Sequence, residues 1–141
     1  MSNQIDRLNA LIGGELSAVE CYSMVIAKAK TPTVIAALTS YKAEHQQRIE
    51  KLSQLLTTLG GTPTTKSGAW GAFAKIVEAG AVALGETSAI GTLKEGEDHG
   101  VELYRAELKH LDGEALALVQ NELLPAQEAT QKAVSSLSDQ Y

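Results

Sequence analysis

The sequence has little cysteine, proline or aromatic side chain. Its 141 residues include one cysteine, three prolines and 4% aromatic residues. Because Cys21 is the single cysteine, an intrachain disulfide framework is excluded and a reducing compartment is favoured. Few aromatic residues disfavour sheet, since strand interiors are normally built from β-branched and aromatic side chains. Alanine, leucine, glutamate and lysine are abundant instead, and these residues favour helix.

Clustered positive charge and long apolar runs are also scarce. The formal net charge is −5 and the lysines and arginines form no cluster, so we expect no nucleic-acid partner. No apolar run approaches the ~20 residues that span a bilayer, and the polar N-terminus has no hydrophobic signal core, so we expect no membrane partner. The sequence therefore predicts a soluble, cytoplasmic protein with one domain over residues 1–141.

Helical periodicity predicts a helical hairpin in the first half of the chain. Apolar residues at steps of three and four run up to Thr31-Pro32, which indicates an N-cap followed by proline at the start of a second helix. We expect that helix to end at Gly60, because glycine readily adopts the left-handed C-terminal conformation. Its inward face is predicted to carry Val34, Ala37, Tyr41, Leu52, Leu55 and Leu59.

The second half of the chain predicts another hairpin. A third helix is expected over residues 87–111 and a fourth over 112–138. Residues 69–84 show weaker helical patterning and predict a short crossover helix, with Trp70 and Phe73 as apolar anchors. Two hairpins joined by a long connection predict an all-α four-helix bundle.

An internal repeat links the two hairpins. The segment GELSAVECY at residues 14–22 matches GEDHGVELY at residues 96–104 at Gly, Glu, Val, Glu and Tyr in identical spacing. The first Glu and the Tyr of each copy are seven residues apart, an offset that returns to within about 20° on a helix. Glu15 and Glu97 therefore lie on the apolar faces of their helices, where a leucine would be expected. The alternative is that both lie at the edge of these faces and reach solvent.

The second and fourth helices each offer a further glutamate that we expect to face inward. Glu44 follows Tyr41, and Glu122 follows Val119. Several carboxylates in one interior would repel and raise each other's pKa, and divalent cations would remove that problem. The sequence thus predicts metal ligands at Glu15, Glu44, Glu97 and Glu122. Tyr22 and Tyr104 either donate hydrogen bonds to these carboxylates or simply fill the core.

The first copy of the repeat resembles the first metal-binding helix of bacterioferritins and other ferritin-like proteins, in which the Glu is a ligand and the Tyr lies beside the site. Closer still is an uncharacterised bacterial family of ferritin-like four-helix-bundle proteins, a domain of unknown function. The chain shares with it the helix ending at residues 59–63, the helical insert that follows, and the segment 96–104. The resemblance implies a ferritin-like bundle with a pair of iron or manganese ions.

One departure from the ferritin-like pattern concerns histidine. Ferritin-like enzymes carry Glu-x-x-His on helices two and four, whereas here Gln47 and Pro125 stand three residues after the expected glutamates. Gln47 either ligates a metal or fills space. His45 lies about 100° round the helix from Glu44, so we expect it at the surface or core edge, and as a ligand only if the helix is rotated.

Two functional hypotheses follow. In the first, the protein binds Fe or Mn and, if redox-active, serves as a ferroxidase or a peroxide-consuming stress protein; oxygen ligands without imidazole suit Mn at least as well as Fe. In the second, it is a non-catalytic structural or partner-binding bundle that has lost the histidine ligands and the metal. Its glutamates would then be protonated or hydrogen-bonded, and acidification would stabilise it. A homo-oligomer is compatible with both hypotheses.

Overall fold

The computed structural model describes residues 2–67 and 85–141, in which every regular element is helical. The helices are α1 (Ser2–Lys28), α2 (Pro32–Thr58), α3 (Glu86–Leu108), α4 (Gly113–Leu118) and α5 (Leu124–Gln140). A π-helical turn, Val119–Leu123, joins α4 to α5, so that the two act as one fourth helix. The prediction of an all-α four-helix bundle is confirmed. The predicted crossover helix, with Trp70 and Phe73, lies outside the described residues.

The helices form the two predicted hairpins. α1 packs on α2 and on α3, and α3 packs on α5. Residues 29–31 connect α1 to α2, and residues 109–112 connect α3 to α4. Connections this short place consecutive helices antiparallel and side by side.

Contacts at the ends of α2 fix where this helix begins and stops. Thr31 takes the N-cap position before Pro32 as predicted, but its side chain makes no capping hydrogen bond. The Glu86 carboxylate at the start of α3 accepts the backbone N–H of Thr31 at 2.9 Å instead. At the other end Gly60 has a φ of 91°, the left-handed conformation that the sequence predicts. The two hairpins are therefore tied together at the N-terminus of α2.

Two apolar clusters fill the interior. One consists of Cys21, Tyr22, Val25, Val34, Leu38, Ala89, Ile90, Leu93, Val134 and Leu137. The other consists of Leu8, Leu11, Ile12, Leu52, Leu56, Tyr104, Leu111, Ala115, Val119 and Leu123. α1, α2 and α3 contribute to both clusters, and the fourth helix contributes through α5 to the first and through α4 and the π-helical turn to the second. Along α2 the clusters are separated by the stretch between Leu38 and Leu52. Buried polar side chains occupy the level between the clusters.

Among the described helices, α1 is the one whose length and mean hydropathy match those of a membrane-spanning helix. By length and composition its stretch Asn3–Lys28 could cross a bilayer, which corrects the expectation that no apolar run approaches that length. The core helix of a bundle passes the same test, and 56% of the most apolar window is buried inside this one. A cytoplasmic location stays a prediction.

Candidate functional site

Six buried polar residues form a layer across the middle of the bundle. Each of them is at most 4% exposed. We call them the polar layer: Glu15, His45, Arg48, Glu97, Gln127 and Thr130. All of the long helices contribute, since the residues come from α1, α2, α3 and α5.

His45 bridges the two glutamates of the repeat. Its Nδ1 lies 2.7 Å from Glu15 Oε1 and its Nε2 lies 2.7 Å from Glu97 Oε2. A carboxylate that is ionised only accepts hydrogen bonds, so a ring that donates to both glutamates carries a proton on each nitrogen and is an imidazolium. Burial alone would lower the pKa of His45, but Glu97 and Glu15 outweigh burial and raise the pKa to about 9.

Arg48 supplies the second positive charge of the polar layer. Its Nε donates to Glu15 Oε2 at 2.5 Å, and its Nη2 donates to Gln127 Oε1 at 2.8 Å. The same Nη2 lies 3.0 Å from His45 Nδ1, so the two cationic groups meet beside the carboxylate that they share. Burial would raise the pKa of Glu15, but His45 and Arg48 outweigh it and hold the pKa below its ordinary value. Two carboxylates thus face two cations in the interior.

The amide of Gln127 completes the pairing of Glu97. Its Nε2 donates to Glu97 Oε1 at 2.8 Å and to the Glu97 backbone carbonyl at 3.1 Å. Because its Oε1 accepts from Arg48, Gln127 links the second carboxylate to the guanidinium. A buried ion cluster is tolerated only when its remaining lone pairs and protons find partners, and this amide provides several.

Each tyrosine of the repeat donates a hydrogen bond to the glutamate of the other repeat copy. Tyr22 donates its hydroxyl to Glu97 Oε2, and Tyr104 donates to Glu15 Oε2 at 3.1 Å. Each tyrosine therefore binds the glutamate of the other repeat copy, which ties α1 to α3. Burial and the partner carboxylate raise the pKa of both hydroxyls well above the ordinary value, so they stay protonated as donors.

Of the other two glutamates that the sequence placed in the interior, Glu44 reaches only the edge of the polar layer, and Glu122 lies on the surface, so the inward placement of Glu122 is wrong. Glu44 is half-buried, and its Oε1 accepts from Thr130 Oγ1 at 2.6 Å at the edge of the polar layer. Glu122 is 50% exposed and pairs with Lys51 on the surface. Gln47 is exposed as well. Glu44, Gln47, Lys51 and Glu122 line a surface groove of about 180 Å³ instead.

A small rotation of α2 and α5 accounts for the difference. The buried residues of α2 are Val34, Leu38, His45, Arg48, Leu52 and Leu56. Tyr41 and Leu55, which the sequence placed inward, are only partly buried. His45 is therefore not at the surface or core edge, as expected, but fully buried. The spacing contains a signal for this, since His45 stands seven residues after Leu38 and seven before Leu52.

The residues of the polar layer do not fit a metal pair in this arrangement. Across residues 2–67 and 85–141, no group of three or more His, Cys, Asp or Glu side chains is placed to hold an ion. The imidazolium of His45 takes up the space between Glu15 and Glu97, and the Arg48 guanidinium beside it would repel a cation. The metal pair, and the ligand roles of the four glutamates, stay predictions.

Comparison with protein-family models gives a match. Comparison with curated proteins gives no match, and comparison with solved structures gives none either. A family model covers α1, α2 and α3, and hence both repeat copies and the two basic residues of the polar layer. The broader ferritin-like resemblance stays a prediction. The model, described as a domain of unknown function (DUF2383), matches residues 3–110, and the chain belongs to that family.

Proposed function

We propose that the protein is a non-catalytic four-helix bundle with a structural or partner-binding role, whose polar layer is held together by the chain's own charges. The observation that carries the proposal is the bridge from Glu15 through His45 to Glu97, with both distances at 2.7 Å. A ring hydrogen-bonded on both sides and fully buried is not free to accept substrate or metal. Its role is to compensate charge.

The polar layer gives the bundle a means of selecting one alignment of its helices. Apolar clusters tolerate sliding and repacking, whereas a buried charge finds its partner in one register only. Arg48 of α2 reaches both Glu15 of α1 and Gln127 of α5, and Gln127 reaches Glu97 of α3. A slip of α1, α2 or α3 would leave a charge unpaired in the interior, and a slip of α5 would take hydrogen-bond partners from Arg48 and Glu97.

Metal loading tests this proposal. Purified protein would be stripped with chelator, reloaded anaerobically with Fe(II) or Mn(II), passed through a desalting column, and analysed for metal and for melting temperature. We expect metal at background and a melting temperature that neither metal nor chelator changes. Stoichiometric metal that is lost in both Glu15→Gln and Glu97→Gln would contradict the proposal, while loss in Glu122→Gln alone would mark a surface contaminant.

A second candidate, binding of Fe or Mn with ferroxidase or peroxide-consuming activity, is favoured by the convergence of the repeat glutamates. Glu15 and Glu97 lie within one imidazole of each other, with Tyr22 and Tyr104 as hydrogen-bond donors. His45 would then have to give up both hydrogen bonds for its nitrogens to ligate. Oxygen uptake on addition of Fe(II), absent in Glu97→Gln, would support this candidate over the first.

The setting that we propose is the cytoplasm, without nucleic-acid or membrane partners. The net charge of −5 supports the first exclusion, because a nucleic-acid-binding surface needs a basic stripe. Cys21 is buried and free, and its pKa is raised to about 12 by burial, Glu20 and Glu97, so the thiol stays protonated and unreactive. A homo-oligomer remains a proposal that light scattering at several protein concentrations would test.

A further inference from the structure

Two helices of the bundle carry polar pairs of the same spacing at the same level. α2 presents His45 and Arg48, and α5 presents Gln127 and Thr130, three residues apart in each case. All four side chains are at most 3% exposed. Residues three apart on a helix lie on one face, so each pair points into the polar layer as a unit.

Each pair contacts the carboxylates of the repeat or the groups bound to them. His45 contacts both Glu15 and Glu97, and Arg48 donates to Glu15. Gln127 donates to Glu97. The hydroxyl of Thr130 lies 3.2 Å from Arg48 Nη1 and accepts from it. The geometry is that of one glutamate from each of two helices, met by an i, i+3 pair from each of the other two.

Carboxylate-bridged metal bundles have the same arrangement of ligands, and in them the i, i+3 pairs are Glu-x-x-His. Such a centre balances four carboxylates with two divalent ions. The polar layer balances the two carboxylates of Glu15 and Glu97 with the charges of His45 and Arg48. Both arrangements sum to zero, which a closed interior requires.

We infer that His45-x-x-Arg48 and Gln127-x-x-Thr130 occupy the positions of the two Glu-x-x-His motifs, and that His45 and Arg48 supply the positive charge that a metal pair would supply. This inference rests on the proposed metal-independent function. It assigns the motif positions to residues 45, 48, 127 and 130. The sequence pattern alone would assign them to residues 44, 47, 122 and 125.

Rebuilding the motifs tests the assignment. The variant His45→Glu, Arg48→His, Gln127→Glu, Thr130→His would place four carboxylates and two imidazoles around the polar layer. With Co(II) as the probe, we expect about two ions per chain, visible in the absorption spectrum. With two ions bound at Co(II) concentrations near one hundred times the dissociation constant, the melting temperature should rise by roughly 16 °C, and chelator should reverse the rise.

The matched control restores the pattern where the sequence alone would place it. Gln47→His with Pro125→His creates Glu-x-x-His at Glu44 and at Glu122, along the surface groove that borders Arg48 on the outer side of the polar layer. We expect this control to bind Co(II) no better than the unmodified protein. A control that binds the metal pair while the rebuilt layer does not would overturn the assignment.

The rebuilt variant would fail to fold without metal if its four carboxylates repel strongly enough, so a second experiment uses simpler variants. Arg48→Met should lower the melting temperature by about 10 °C, because it leaves the Glu15 carboxylate buried without its guanidinium. Adding Glu15→Gln should recover more than half of that loss if Arg48 acts as a counter-charge. Losses that simply add would overturn the inference.

The outcomes separate this inference from the function on which it rests. Metal binding by the unmodified protein would contradict the proposed function. A metal-free unmodified protein combined with a folded rebuilt variant that takes up no Co(II) would contradict only the inference.

Discussion

Tyr22 of α1 donates its hydroxyl hydrogen bond to Glu97 of α3, the glutamate of the other repeat copy. Tyr104 returns the contact to Glu15. The exchange gives the internal repeat a physical meaning, because each copy satisfies a carboxylate that the other copy buries. It also places two donors on the polar layer without adding charge to it.

Removing either hydroxyl should therefore destabilise the bundle. We expect Tyr22→Phe and Tyr104→Phe each to lower the free energy of unfolding by about 1.5–3 kcal/mol, since each removes a hydrogen bond to a charged group. Tyr41→Phe is the control, because the ring of Tyr41 packs edge-on against that of Tyr22, with 6.5 Å between the ring centroids, but Tyr41 is only half-buried and lies outside the polar layer. Denaturant unfolding would measure all three, and equal losses at Tyr41 and Tyr22 would contradict the role given to Tyr22.

Two glutamates that the sequence treats as equivalent should respond differently to the same substitution. Glu97→Gln should cost about 3–5 kcal/mol, because it leaves the buried imidazolium of His45 with half of its compensation. Glu122→Gln should cost less than about 1 kcal/mol, because its pair with Lys51 is half-exposed on both sides. The free energy of unfolding in urea would measure both, and similar values would refute the placement of Glu97 in a coupled layer.

Stability should be greatest between the ordinary pKa values of Glu15 and His45, 4.5 and 6.5. The pKa of His45 is raised to about 9, so its contribution is complete below pH 6.5 and lost as the pH rises through 9. The pKa of Glu15 is lowered, so its contribution is complete above 4.5 and lost as the pH falls through the lowered value.

Melting temperatures across this range would measure the effect, with His45→Gln as the comparison that isolates the alkaline loss. Acidification from neutral pH should thus stabilise the protein, as the hypothesis of a metal-free bundle expects, but through His45 rather than through protonated glutamates. Below 4.5 the sign reverses. If the melting temperature of His45→Gln falls at alkaline pH as much as that of the unmodified protein, the bridge from Glu15 through His45 to Glu97 is contradicted.

Two helical glycines should differ in their tolerance of alanine. A Cβ on Gly91 meets nothing within 4 Å, so Gly91→Ala should stabilise by about 0.5–1 kcal/mol through the unfolded chain and helix propensity. A Cβ on Gly14 would lie 2.9 Å from Leu103 Cδ2, so Gly14→Ala should gain less or lose stability. Thermal unfolding of the two variants would compare them, and an equal gain would show that α1 and α3 are packed less closely than described.

The repeat could be predicted because its signal is local and doubled. Glu15 and Glu97 each interrupt an apolar stripe at the same offset from a tyrosine, and helix geometry alone places both inward. The pairing of Tyr22 with Glu97 could not be predicted in the same way. It depends on how α1 and α3 face each other, which no single helix determines.

The rotation of α2 and α5 was harder to predict because the inward residues are polar. The apolar residues of α2 predict an inward face through Tyr41 that also carries Glu44, whereas the structure buries His45 and Arg48. The apolar pattern does not mark Gln127 and Thr130 either, although they continue the stripe of Val119 and Leu123 at steps of four and three. A hydrophobicity pattern has no means of recognising buried polar groups that are satisfied only by partners on other helices.

Every role given to the polar layer depends on His45 being an imidazolium that bridges Glu15 and Glu97. The most direct measurement is the protonation state of its two ring nitrogens, read from ¹⁵N NMR near pH 7.5, with His45→Gln identifying its resonances. An ordinary histidine is mostly neutral at that pH. The bridge predicts protons on both nitrogens of His45, and a neutral ring with one bare nitrogen would contradict it.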